Sequence, residues 1–350
     1  MNGKNIEQKI SWVLSVNKNH SDEFMRTRLA RQLYRVNHGT EIGAFKCMDG
    51  RIHVPLVTHT PLGIIRPYRN IGGYFDLGWP LLGENVTDWV EYGITKGRKT
   101  LILVTYHYSE GDTHRGCAGF HYDKEATLKF TVNFHRQFNK LFGENNDVVF
   151  PVVVGLETDT DSLIWHREDP ADDRVFICSD KTSDKPDYLM DLIGDLYPNM
   201  DPGVRNDLMP LMQGNIAHIK EVKESGRQPL DMQHREWILA VGRGFDWLHE
   251  PNIALIVGPY DPELSKPIST AIKIIGDNMK SGRIDDDGFL VLSSAPFRKP
   301  GVDKNRAKLK AKFFQSYVER IIKEEYPDLV PKARYLTAVV DENTRRLEEI

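Results

Sequence analysis

The sequence predicts an α/β protein: a mostly parallel sheet flanked by helices, followed by a second, degenerate copy of the same unit. Three observations lead there. Residues 100–106 and 148–154 are continuous apolar, β-branched runs, the pattern of strands buried on both faces. Residues 124–142 between them place Leu128, Val132, Phe138 and Phe142 at helical spacing, so strand, crossover helix and strand follow one another. The progression then returns, with strand-like residues 289–292, helical residues 303–325 and strand-like residues 335–341.

Element by element, residues 23–37 are rich in helix formers and carry Phe24, Leu29 and Leu33 at helical spacing. Asn37, His38 and Gly39 stop that helix. Residues 42–47 form a short strand that runs into Met48, Asp49, Gly50 and Arg51. Residues 55–79 are loop-rich, and residues 85–94 form a helix with Val86, Trp89, Val90 and Ile94 on one face. In residues 180–226 several short helical pieces are expected, interrupted by Pro186, Pro198, Pro202 and Pro210, with Pro229 just beyond. They read as an insertion packed on the sheet. A strand signal resumes at residues 237–241. The resulting organisation is a short helical segment at 1–40, a working domain at 41–234 and its degenerate copy at 235–350.

The chain has 350 residues, enough for two domains, and its 40% hydrophobic and 27% charged residues are those of an ordinary globular protein. A net charge of −4 gives no electrostatic reason to bind nucleic acid. No run approaches a membrane span and residues 1–21 lack the apolar core of a signal peptide, so the expected location is cytoplasmic. Cys47, Cys117 and Cys178 are too few for a disulfide framework. That leaves core, metal and nucleophile roles.

Cys47 follows a strand, His107 ends the next buried strand, and Cys117 precedes a helix. Ligands at the carboxyl ends of neighbouring parallel strands converge where open α/β sheets hold their sites. Two thiolates and an imidazole suit Zn2+, and three protein ligands leave the fourth position that a catalytic zinc needs. Asp49 and Arg51 follow Cys47 closely; the carboxylate accepts a hydrogen bond at the metal, and the guanidinium holds it in place. His114, with Cys117, gives the alternative His-x-x-Cys spacing, but it lies beyond a polar loop, and the strand end favours His107. Glu157, Asp159 and Asp161 read as a solvated or helix-capping acidic turn rather than a hard-cation site, His234 as an exposed or structurally bonded residue rather than a proton relay, and Cys178 as core. Gly242-Arg243-Gly244 lacks the full dinucleotide fingerprint, and the basic residues 304–312 read as a solvated face.

The pattern Cys47-x-Asp49-x-Arg51, the loop Arg69-Asn-Ile-Gly-Gly73, and an apolar strand ending in His107 before Cys117 resemble the β-type carbonic anhydrases. The nearer resemblance is to the carboxysomal shell carbonic anhydrase family. It lies in residues 106–109, 114–118, 155–161 and 241–245, and extends roughly from Ile42 to the C-terminus. It implies reversible hydration of CO2 to bicarbonate at zinc, with Cys47, His107 and Cys117 as ligands and Asp49 and Arg51 as the catalytic pair. It also implies a zinc-free second copy that imitates the partner subunit of ordinary β-type enzymes, and a homo-oligomer. Hydrolysis of CS2 or COS on the same zinc is an alternative, as is a non-catalytic zinc protein. Two departures stand out: the region before Ile42 is shorter than the family's N-terminal domain, and the loop from His107 to Cys117 is slightly shorter. The first makes residence in the carboxysome a weaker expectation than the zinc chemistry.

Overall fold

A computed structural model of the chain describes residues 5–143, 146–227, 232–248 and 250–350. Its strands form two sheets. The first contains β1 (Glu41–Cys47), β2 (Ile65–Asn70), β3 (Thr100–Tyr108), β4 (Val149–Glu157), β5 (Ser162–His166) and β6 (Val175–Ile177), in the order β2-β1-β3-β4-β5-β6. The β1–β2, β1–β3 and β3–β4 pairs are parallel; β5 and β6 are added antiparallel. Every residue of β3 is buried, which is why its sequence is apolar without alternation.

The second sheet contains β7 (Ile238–Gly242), β8 (Ala254–Val257), β9 (Phe289–Phe297), β10 (Ala333–Asp341) and β11 (Leu347–Glu349), in the order β11-β10-β9-β7-β8. Read from its other edge, it repeats the first sheet as far as β5: three parallel pairs, then an antiparallel strand. The helices repeat as well. α4 (Pro80–Thr95) lies between β2 and β3 in the chain, and α8 (Ser265–Lys280) between β8 and β9. α5 (Lys124–Phe142) joins β3 to β4, and α9 (Val302–Glu325) joins β9 to β10. The fold is thus α/β with the same topology used twice.

The chain divides into two compact units: residues 1–29, 48–51 and 233–350, and residues 30–47 and 52–232. Within the first, α1 (Ile6–Arg26) starts with a capping box between Asn5 and Gln8. Its Ile6, Val13 and Val16 pack with Trp237, Trp247, Leu290 and Leu336. Lys9 is buried with them and reaches Asp287 at 2.8 Å and Asp285 at 3.1 Å. Where the sequence predicts one helix over 23–37, the structure has a break at Thr27, whose hydroxyl turns back onto the Glu23 carbonyl at 2.8 Å. α2 (Arg28–Asn37) follows, and its Leu29 and Leu33 are 66% and 55% exposed rather than core.

In the second unit, Asp123 caps α5 and Gly143 ends it. Phe134 and Phe138 of α5 meet Phe45 at ring distances of 5.2 and 5.3 Å, and Tyr68 stacks on Phe45 at 4.3 Å. The expected broken insertion is instead two helices, α6 (Pro186–Leu196) and α7 (Pro202–Ser225). Pro186 and Pro202 stand in the first turns, where their missing N–H costs nothing. Pro210 is carried inside α7 without ending it. Pro229 lies outside the described residues. A short helix, α3 (Val54–Val57), faces α7.

Candidate metal centre

Cys47 is the last residue of β1, and His107 is the last but one of β3, its neighbour in the sheet. Alternation along β3 sends Tyr106 and Tyr108 to the face opposite His107. There the Tyr106 hydroxyl lies 2.9 Å from Nε2 of His166. Burial pushes the His166 pKa down to about 4 and the Tyr106 phenol well above its usual value. Neither side chain belongs to the His107 face.

Cys117 arrives by a loop, and close backbone contact sets its position. It precedes a turn at residues 118–120 that packs on the turn at residues 71–73 after β2. A Cβ on Gly119 would lie 2.7 Å from the Cα of Gly72, so glycine is required for that approach. The loop before Cys117 is fastened by the acidic turn that follows β4. Asp159 Oδ2 accepts from the Ser109 hydroxyl at 2.8 Å and the Gly111 N–H at 2.9 Å, and Arg115 Nη1 lies 3.3 Å from Oδ1. Glu157 accepts from the backbone N–H groups of Glu110, Asp159 and Thr160. Asp161 accepts from His218 and Arg227, which overcome its burial and hold its carboxyl below the usual range. The three acids accept from protein donors in a turn that joins β4 to β5; with Glu157 and Asp161 buried and no helix following, it is neither the solvated nor the helix-capping turn expected.

One donor atom from each of Cys47, His107 and Cys117 lies within 4.8 Å of the others, and all three residues are buried. The donor set, two sulfurs and one imidazole nitrogen, fits Zn2+ and leaves one tetrahedral position for a non-protein ligand. His114 is elsewhere: its side chain is 81% exposed, with Nδ1 3.4 Å from Asp112 and its ring beside Tyr122. The His-x-x-Cys spacing therefore does not form the cluster. Cys178 is fully buried against Trp165, and burial pushes its thiol up to about 12.

In the other unit, Asp49 and Arg51 form a bidentate pair. Oδ1 accepts from the Arg51 backbone N–H at 2.8 Å and Nε at 3.0 Å, and Oδ2 accepts from Nη2 at 2.6 Å. Both side chains are buried. Arg51 Nη2 also lies 3.0 Å from Nε2 of His234, whose Nδ1 is 3.1 Å from both oxygens of buried Glu236. A guanidinium only donates, so His234 accepts on Nε2 and donates from Nδ1 to Glu236. The segment itself is hydrogen-bonded along β8. The Met48 carbonyl accepts from Ile256, the Gly50 carbonyl from Asn252, and the Gly50 N–H reaches Glu236 at 3.2 Å.

No family model matches the chain. Among curated proteins it is 27% identical to the carboxysome shell carbonic anhydrase of Prochlorococcus marinus subsp. pastoris, over 59% of this chain and 46% of that protein. It is 24% identical to the carboxysome shell carbonic anhydrase of Halothiobacillus neapolitanus, over 59% of this chain and 48% of that protein. The chain resembles the carboxysome shell carbonic anhydrases. It spans about half the length of the curated relatives it matches.

Sheet register aligns the two copies of the topology residue by residue. Glu41 pairs with Thr100 in the first sheet, and Ile238 pairs with Leu290 in the second, which aligns Glu41 with Trp237 and Thr100 with Phe289. Counting on by the same steps, Cys47 corresponds to Arg243 and His107 to Pro296. Neither residue is a zinc ligand. Glu236, which accepts from His234, is a buried carboxylate that sequence reading did not single out. Its one signal is a carboxylate directly before an apolar strand, where a buried charge demands partners.

Proposed function

We propose that the chain is a zinc carbonic anhydrase that interconverts CO2 and bicarbonate. The observation that carries this reading is the buried Cys47–His107–Cys117 group in a chain similar to shell carbonic anhydrases. Zinc, when bound, supplies a Lewis acid and makes water a nucleophile near neutral pH. Cys47, His107 and Cys117 hold it. With zinc bound, Asp49 would accept a hydrogen bond from the nucleophilic water and so orient it. Arg51 keeps Asp49 ionised and stops it from swinging to the metal, since both carboxylate oxygens are already occupied. His234 and Glu236 brace Arg51 from behind. The proton released as bicarbonate forms passes to buffer. A single catalytic zinc per chain belongs to this reading, because the second copy has Arg243 and Pro296 at the matching places. Self-association of the chain and residence with a carboxysome are its remaining parts, the latter supported by the names of the relatives.

Stopped-flow CO2 hydration, measured alongside elemental analysis, tests the proposal. The expected result is one thiolate-bound zinc per chain, activity lost with a chelator and restored by zinc, thiolate-bound metal and activity both lost in His107→Ala, and thiolate-bound metal retained in His114→Ala. A zinc-replete protein that does not hydrate CO2 would overturn it.

A further inference from the structure

A second cluster of metal-ligating side chains lies apart from the three ligands above, in the unit of residues 30–47 and 52–232. Gly214, His218 and Glu221 sit at spacings of four and three residues on α7, and so share one face. A Cβ on Gly214 would lie 1.9 Å from the Thr58 carbonyl oxygen and 3.2 Å from Cβ of His59. Glycine therefore lets α7 approach the turn after α3 and seats His59 over this face. His59 adopts a left-handed backbone, φ 49°, that few non-glycine residues take. Its Nε2 lies 3.2 Å from Oε2 of Glu221, and its ring meets that of His218 edge to face at 5.7 Å.

His218 is prepared as a metal-binding histidine is. Its Nε2 donates to Asp161 Oδ2 at 2.9 Å, and Arg227 holds Asp161 from the other side. The proton is thereby fixed on Nε2, and Nδ1 is the nitrogen with a lone pair, the carboxylate–histidine arrangement that orients metal ligands. One donor atom from each of His59, His218 and Glu221 lies within 4.8 Å of the others. Adjacent ligands of a tetrahedral ion with bonds of about 2.1 Å stand about 3.4 Å apart. His59 and Glu221 are already close to that spacing.

We propose that His59, His218 and Glu221 bind a divalent transition-metal ion of the zinc type, clamping the turn after α3 to α7. Two imidazoles and one carboxylate select such an ion over Mg2+ or Ca2+, which take oxygen ligands. The partly exposed His59 and Glu221 open the site to solvent, while buried His218 anchors it.

The test is a Co2+ titration of the chelator-stripped full chain, followed by calorimetry and absorption. Two binding events are expected. One shows thiolate-to-metal charge transfer and disappears in Cys117→Ser. The other lacks that band, survives in Cys117→Ser, and weakens about tenfold or more in His59→Ala and in Glu221→Gln. Those two substitutions are at the surface, so they spare the fold. In the Cys117→Ser background, Co2+ should raise the melting temperature, and His59→Ala should abolish the rise. Absence of the second event, or a second event unchanged in both surface variants, would overturn the proposal. Loss of the thiolate band alone would count against the carbonic anhydrase reading and leave this site standing.

Discussion

At the scale of single residues, the proposed chemistry rests on charges that are buried and matched. Asp49 and Glu236 are both buried, with one guanidinium and one imidazole between them. Removing Arg51 leaves two carboxylates facing each other without their cation. Breaking a buried pair in this way costs about 3–5 kcal/mol. Arg51→Ala should therefore lower the urea midpoint by that equivalent and abolish CO2 hydration while keeping zinc. Arg51→Lys should recover part of the stability but little of the rate, because an ammonium cannot hold both oxygens of Asp49. A fully active Arg51→Ala would mean that the pair is only structural. Cys47, Asp49 and Arg51 were legible in the sequence because their spacing is local. The support of Arg51 was not, since His234 lies 183 residues away.

At the scale of elements, the strands were legible because a strand buried on both faces has no need of polar positions, as β3 shows. α1 was not. Its core-facing residues are interleaved with charges, and one of them, Lys9, is itself buried because two aspartates far along the chain neutralise it. Periodicity cannot register a core lysine. α7 was misread for a different reason: proline is a breaker on average, yet harmless at a first turn. The turn that positions Cys117 also depends on contact rather than propensity, and this makes it testable. Gly119→Ala places a methyl against the backbone of Gly72, so the turn at 118–120 must move. The expected cost is about 1–3 kcal/mol in stability, together with weaker zinc retention against a competing chelator. Gly39→Ala, where an added Cβ meets nothing within 4 Å, is the control and should change neither. Equal zinc retention in the two variants would show that the glycine contact does not set the position of Cys117.

At the scale of the whole molecule, the repeat was legible, since two sheets with one topology leave two similar runs of strand and helix. What no local pattern shows is that residues 48–51 belong to the unit that contains the second sheet. Residues 48–51 follow directly on Cys47, yet they are hydrogen-bonded along β8 and to Glu236, in the unit that contains the second sheet. The copy without zinc ligands thus has its own task under the proposed mechanism, which is to hold Asp49 and Arg51. A fragment of residues 30–232 keeps Cys47, His107 and Cys117 but loses Ile256, Asn252, His234 and Glu236, the partners of the 48–51 segment. Misplacement of a catalytic group by even an ångström costs on the order of 100-fold in rate. The fragment should therefore lose CO2 hydration by about that factor or more, measured per bound zinc so that poor metal loading is not mistaken for lost catalysis. Adding residues 233–350 in trans should restore rate only if β8 and the 48–51 segment pair again. A soluble fragment with the full-length rate per zinc would show that Asp49 and Arg51 need no support from the second copy, and would reduce that copy to a remnant.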